Sequence, residues 1–208
     1  GPNSSYSRDC GNGWTAYAQD VSNAALSSPT AGPIGNQNVV TADSVNGPSD
    51  TASPASAAEL YTAPSDSVRG VLWLLKTYAV QPGRIIDTLT ADFRDKISAA
   101  SDTYVGIVVF DGTVTDPSGQ TVSGVPQRSD VLASDVVREG GSSCGANVWC
   151  GWQTAAIGGH IIPTKSTITV GLRIEDVGTT YTGYAEFDNL TISGVATPAV
   201  SSVPVGDI

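Results

Sequence analysis

Residues 167–176, TITVGLRIED, carry the clearest pattern in the chain. Ile168, Val170, Leu172 and Ile174 fall on one side of an extended backbone, and Thr167, Thr169, Gly171 and Arg173 fall on the other. Successive side chains of an extended chain point to opposite faces, so this alternation predicts a half-buried antiparallel strand. The neighbouring stretches repeat it. Residues 152–157 alternate, and Tyr184, Glu186 and Asp188 alternate with Ala185 and Phe187 before Leu190 and Ile192 continue after a change of phase. Three such stretches joined by short polar links read as strands of one antiparallel architecture.

Working outward, residues 104–110 are apolar throughout, and Asp111-Gly112 after them is a hairpin signal. Residues 84–95 form a further strand with Ile86, Leu89, Ala91 and Phe93 as inward candidates, and residues 68–80 another, the two separated by the turn Gln81-Pro82-Gly83. Residues 116–119 are a turn, residues 129–137 fit a short helix or a strand but are read as an irregular crossover, and residues 140–150 are expected as loop. The first 65 residues are rich in Ser, Ala, Asn, Gly and Pro, with short strands expected at 15–21 and 39–45, a loop at 47–64 and one turn of helix at 57–61. At least eight strands, short turns and no internal repeat predict an all-β antiparallel sandwich of jelly-roll type. The expected organisation is an extended N-terminal segment at 1–14, the sandwich at 15–194 and an extended C-terminal tail at 195–208.

Composition narrows the function. Three Lys and seven Arg stand against twenty acids, for a net charge of −10. Such a surface repels a phosphate backbone, and no basic stripe relieves it, so nucleic acid is not an expected partner. No apolar run reaches the roughly 18–20 residues that span a bilayer, so membrane insertion is not expected either. The chain starts with Gly and has no Met, which is expected of a mature or excised product, and an extracellular or cell-surface location fits the acidity. Of three cysteines, Cys144 and Cys150 flank the segment CGANVWC. Either the two form a disulfide that closes a small loop, or they are buried free thiols; a metal site would lack a fourth ligand and a well-placed His. Cys10 pairs with another chain, pairs with one of these two, or stays free. Asn3 and Asn189 sit in glycosylation sequons.

From residue 151 onward the order of motifs is that of a known group. GWQTAAI, then ITVGLRIEDVG, then YAEFDNLTISG resembles the closing strands of extracellular bacterial jelly-roll modules, the galactose-binding-like carbohydrate-binding modules and related domains of anchored surface proteins. The match covers residues 151–194, is loose over 81–110 and fades before residue 65. The resemblance implies the sandwich fold and a structural Ca²⁺ between the first and closing strands, for which the matching positions are Asp188 and, as partner, Asp20. Fold alone does not carry function.

Chemistry is sparse. His160 is the single His, in a Gly-Gly-His turn, and no nucleophile elbow, zinc motif or phosphate loop accompanies it. Carboxylates abound, Asp87, Asp92, Asp95, Asp102, Asp111, Glu175, Asp176 and Glu186 among them, without a spacing that singles out a glycosidase pair. A non-catalytic protein is therefore expected, by one of two routes, with a glycan-cleaving enzyme ranked third behind them. The first is a structural subunit of a fibre, matrix or adhesive layer, a homo-oligomer or polymer in which the tail bearing Val200, Val203, Val205 and Ile208 pairs with an edge strand of a neighbour. The second is a carbohydrate-binding module with polysaccharide as partner, its glycan stacked on Trp149, Trp152 or Tyr181, while Trp14 and Trp73 are assigned to the core. The first is the main expectation and the second the alternative.

Overall fold

The computed structural model describes residues 5–11, 13–21, 38–40, 58–62, 69–97, 102–140, 144–176 and 183–194. These residues form an antiparallel β-sandwich of jelly-roll type. In chain order the strands are β1 (Ser5–Gly11), β2 (Trp14–Val21), β3 (Asn38–Val40), β4 (Ala58–Thr62), β5 (Arg69–Ala79), β6 (Ile86–Ile97), β7 (Asp102–Asp111), β8 (Thr121–Val122), β9 (Val125–Pro126), β10 (Val131–Gly140), β11 (Gln153–Ile161), β12 (Thr167–Asp176) and β13 (Gly183–Gly194). A six-stranded sheet runs β1-β2-β5-β12-β7-β10, a five-stranded sheet runs β11-β6-β13-β4-β3, and β8-β9 is a small hairpin.

The core lies between the two large sheets. Leu72 and Leu74 of β5, Val105, Ile107 and Val109 of β7, and Ile168 to Ile174 in alternation on β12 meet Leu89, Ala91 and Phe93 of β6 and Ala185, Phe187, Leu190 and Ile192 of β13. Each Val, Leu, Ile or Phe side chain among these contributes about 1.5–3 kcal/mol when taken from water. Trp14 belongs to this core, as expected.

A second apolar cluster covers the other face of the six-stranded sheet. Tyr17, Val71, Trp73, Leu75, Val108 and Phe110 are buried there with Val114. The cover is the connection between β7 and β10, residues 112–130, which carries the β8-β9 hairpin. It is held by polar groups of the sheet: Tyr17 Oη donates to Asp116 Oδ1 at 2.9 Å, the Val114 amide donates to Thr169 Oγ1 at 2.9 Å, and Thr121 Oγ1 donates to Glu175 Oε1 at 2.9 Å. Arg128 braces the cover from within, reaching Asp130 through Nε at 2.9 Å and Nη2 at 2.7 Å. Arg173 forms a buried ion pair with Glu175 and lies over the Trp73 ring at 4.7 Å.

Four expectations are corrected. β12 is not half-buried: Thr169, Arg173 and Glu175 on its second face have no exposed surface, because the 112–130 cover sits on them. Residues 131–137 are not a crossover but belong to β10, which pairs with β7 from Val131↔Phe110 to Gly140↔Asp102. The helical turn at 57–61 is strand β4, since Ala58 and Leu60 alternate into the core and the backbone pairs with β13. Asp111-Gly112 makes no two-residue hairpin. The Asp111 carboxylate instead caps the turn before β12, accepting from the amides of Thr164 at 3.0 Å and Lys165 at 3.1 Å. At the N-terminus, part of the segment expected to precede the sandwich supplies β1, which pairs with β2.

Candidate functional site

The second face of the five-stranded sheet has no comparable cover among the described residues. Its side chains come from the alternate positions of β6 and β13, which pair rung by rung: Lys96↔Tyr184, Arg94↔Glu186 and Asp92↔Asp188. β11 adds Thr154 opposite Asp92. Before β11, the 144–150 loop continues along the same edge of β6. The Asn147 amide donates to the Ile97 carbonyl at 2.8 Å, the Cys150 amide to the Asp95 carbonyl at 2.9 Å, and Trp149 forms a bridge with Lys96. The Cys144–Cys150 disulfide, Cα to Cα 5.5 Å, ties that loop.

The rungs change character along the face. At one end, Trp149 and Tyr184 meet edge-on with ring centroids 6.1 Å apart, and Lys96 Nζ stands 5.3 Å from the Tyr184 ring and 5.9 Å from Trp149. In the middle, the Arg94 guanidinium lies between Trp149 at 4.7 Å and Trp152 at 4.9 Å. Its Nε donates to Glu186 Oε2 at 2.5 Å, with Glu186 fully buried beneath it. At the acidic end, Asn189 joins two facing carboxylates. Its Nδ2 donates to Asp92 Oδ2 at 2.9 Å and its amide to Asp188 Oδ1 at 2.7 Å, while Thr154 Oγ1 donates to Asp92 Oδ1 at 2.6 Å. Like charges directly opposite on a sheet repel, and the Asn amide groups offset that here. Asn189 takes φ 52°, a left-handed conformation that Asn tolerates better than most residues, at the irregularity where the phase of β13 changes. Trp149, Trp152 and Tyr184 are all partly exposed.

Beneath this face, on the inward side of β6, Asp95 is 1% exposed. Burial, then the charge of Glu139, pushes its carboxyl up to about 6, with its own backbone amide working against them.

Of the residues singled out from sequence, Trp149 and Trp152 come together around Arg94, and Trp73 is buried in the second cluster. Asp188 stands on the five-stranded sheet and Asp20 on the six-stranded one, and the Asp20 side chain lies outside the described residues. Ca²⁺ asks for six to eight oxygens. Among the described residues no group of three or more His, Cys, Asp or Glu side chains is placed to hold a metal ion, and Asp188 Oδ1 accepts from the Asn189 amide. Asn3, Tyr181, Val200, Val203, Val205 and Ile208 lie outside the described residues, as do the side chains of Cys10 and His160. Asn189 Nδ2, the atom of the second sequon, donates to Asp92 Oδ2. Sequence reasoning passed over Arg94, Lys96, Tyr184 and Thr154 as residues of this face, and Glu186 as the buried partner of Arg94. Their outward positions follow from the period of two, but that β6 pairs with β13 does not.

No family model and no curated protein sequence matches this chain. Solved structures similar to it include a family 11 carbohydrate-binding module from Clostridium thermocellum in complex with a β-1,3-1,4-mixed-linked tetrasaccharide, at 13% identity and TM-score 0.39, covering 93% of this chain and 97% of that one. The K3 cleaved adhesin domain of Lys-gingipain from Porphyromonas gingivalis is similar at 15% identity and TM-score 0.36, over 67% of this chain and 75% of that one. A third is the enzymatically active domain of a bacteriophage CBA120 tailspike protein, at 12% identity and TM-score 0.43, over 88% of this chain, which spans only 20% of that one. Modules of the kind that residues 151–194 resemble thus stand among the solved chains similar to this one.

Proposed function

We propose that the chain is a non-catalytic carbohydrate-binding module whose site is the aromatic face of the five-stranded sheet. The observation that carries this is the convergence of Trp149, Trp152 and Tyr184 beside a ladder of polar rungs on one partly exposed face. A sugar ring presents an apolar C–H face bordered by hydroxyls that donate and accept hydrogen bonds. Indole and phenol rings take the first, since they offer large rigid area at low entropic cost. Arg94, Lys96, Asn189 and Thr154 donate to the hydroxyls, and Asp92 accepts. The rungs from Lys96 to Thr90 span roughly 20 Å at about 3.4 Å per residue, room for a short run of sugars. The disulfide suits an oxidising, extracellular setting, and no helix among the described residues is long and apolar enough to cross a membrane.

A glycan array followed by calorimetry on the best ligand tests the reading. Trp149→Ala and Trp152→Ala are each expected to weaken binding by about tenfold or more, as for truncated aromatic anchors in other interfaces, with no sugar released on long incubation. Silence of the wild-type protein across a broad array sinks the proposal, and so does binding indifferent to both Trp changes. This reading replaces strand-mediated self-association as the better supported one, because the tail on which self-association rests lies outside the described residues.

A further inference from the structure

The geometry points to an anionic glycan: we infer that the ligand carries a negative group on one sugar, a uronate carboxylate or a sulfate ester, and that Lys96 receives it. This rests on the carbohydrate-binding reading above. Three features of the face support it.

Lys96 Nζ sits among aromatic rings, 5.3 Å from Tyr184 and 5.9 Å from Trp149. It has no carboxylate partner among the described residues. Arg94, Arg128 and Arg173 each engage one, with Glu186, Asp130 and Glu175 respectively. In a chain with twenty acids and only ten basic side chains, an ammonium left unpaired on the ligand-facing aromatic end is a charge held for something else. A ring-lined position also favours a desolvated ion pair over a hydrated ammonium once a sugar excludes water.

The neighbouring rung cannot serve a charged ligand in the same way. Arg94 already donates to the buried Glu186, so an anion there would compete with a bond whose loss leaves a buried carboxylate alone. Lys96 loses nothing by pairing.

The far end sets the polarity. Asp92 and Asp188 lie two rungs from Lys96, roughly 14 Å along β6 at about 3.4 Å per residue. That exceeds a Debye length of about 8–10 Å at ordinary salt, so the acidic rung does not cancel the lysine. It does repel a second anion placed over it. The face therefore fits an oligosaccharide with its charged sugar at the Trp149–Tyr184 end and neutral hydroxyls over Asp92, Asn189 and Thr154, better than a chain charged at every residue.

The experiment is an array of acidic oligosaccharides, each carrying one uronate or one sulfate, printed beside its carboxyl-reduced or desulfated counterpart. Wild-type protein is expected to favour the charged member by about tenfold, the preference shrinking at high salt. Lys96→Met and Lys96→Gln should each abolish the preference, costing the charged member about tenfold more affinity than its neutral counterpart, and Lys96→Arg should retain it. The responding pair, uronate or sulfate, identifies the anion. Equal affinity for both members, or a preference that survives both neutral substitutions in folded protein, overturns the inference. Trp149→Ala separates it from the reading beneath: loss of neutral and acidic binding together with an intact Lys96 preference in wild type supports both, whereas neutral binding without preference retains the module and removes the anion. Absence of any binding removes both.

Discussion

Asp95 and Asn189 show how single side chains tune this sandwich. Both are acid or amide groups at strand positions, Asp95 buried and Asn189 partly exposed, and they act to opposite effect. Asn189 offsets a repulsion by giving hydrogens to Asp92 and Asp188. Asp95 faces inward, with its carboxyl raised to about 6 by burial and by Glu139. The folded protein therefore holds the Asp95 proton more tightly than the unfolded chain does. Its stabilising contribution is complete below the unfolded value of 3.8 and is lost as pH rises through about 6. Asp111, Asp116 and Asp130 act in the other direction. For Asp111 and Asp116 burial opposes the charge, but hydrogen bonds from Thr164 and Lys165, or from Ser118 and Tyr17, outweigh it; for Asp130 the bond from Arg128 leads. Each of these favours the folded state at neutral pH and ceases to do so in acid. The difference between wild type and one variant isolates Asp95. Asp95→Asn is expected to raise unfolding free energy at pH 7 by about 2–3 kcal/mol, the value of two pKa units, and to change little at pH 4. Urea melts of the two proteins at both pH values check this, and an equal gain at both would show that packing, not charge, is responsible.

Among the elements, β12 shows where strand reading succeeds and where it stops. Its bounds, 167–176, follow directly from alternation. Its environment does not. Thr169, Gly171, Arg173 and Glu175 look like a solvent face by composition, yet they lie under the 112–130 cover, where Thr169 and Glu175 accept from the Val114 amide and the Thr121 hydroxyl. Polar residues occur there because a covering loop brings backbone groups that need partners. Continuous apolar runs in β5 and β7, by contrast, announce burial on both faces in the sequence itself. The site divides the same way. The outward positions of Tyr184, Glu186 and Asp188 are legible, but their meeting with Lys96, Arg94 and Asp92 depends on pairing between β6 and β13, strands separated by β7 to β12 in the chain, which no local pattern encodes. The close contact of β12 with β5 yields a test. A Cβ on Gly171 would lie 2.8 Å from Trp73 Cε3 and 3.1 Å from Leu75 Cδ2. Gly171→Ala is expected to destabilise the protein by about 1–3 kcal/mol, the cost of overpacking a filled core. An unchanged urea midpoint would mean that the second face of β12 is looser than these contacts imply.

For the molecule as a whole, the two outer faces divide the work. The six-stranded sheet carries a second core under residues 112–130 and contributes stability from both its sides. The five-stranded sheet keeps large rings partly exposed, which water does not favour and which a ligand would relieve. The consequence is an asymmetry in how the two faces respond to truncation. Phe110 is fully buried, 5.8 Å from the Trp73 ring and 5.5 Å from the Arg128 guanidinium. Phe110→Ala is expected to cost about 3–5 kcal/mol, a fall in melting midpoint of roughly 6–20 °C for a chain of this size. Trp149→Ala removes cation–π contacts of about 0.5–1 kcal/mol each at a partly exposed site. Its midpoint should fall by no more than roughly 2–8 °C, while its glycan affinity falls by about tenfold or more. Phe110→Ala, measured well below its own midpoint, should bind as wild type does. Thermal melts paired with calorimetry on both variants decide it. If Trp149→Ala unfolds as readily as Phe110→Ala, the aromatic face is a second structural layer and its rings are not there for a ligand.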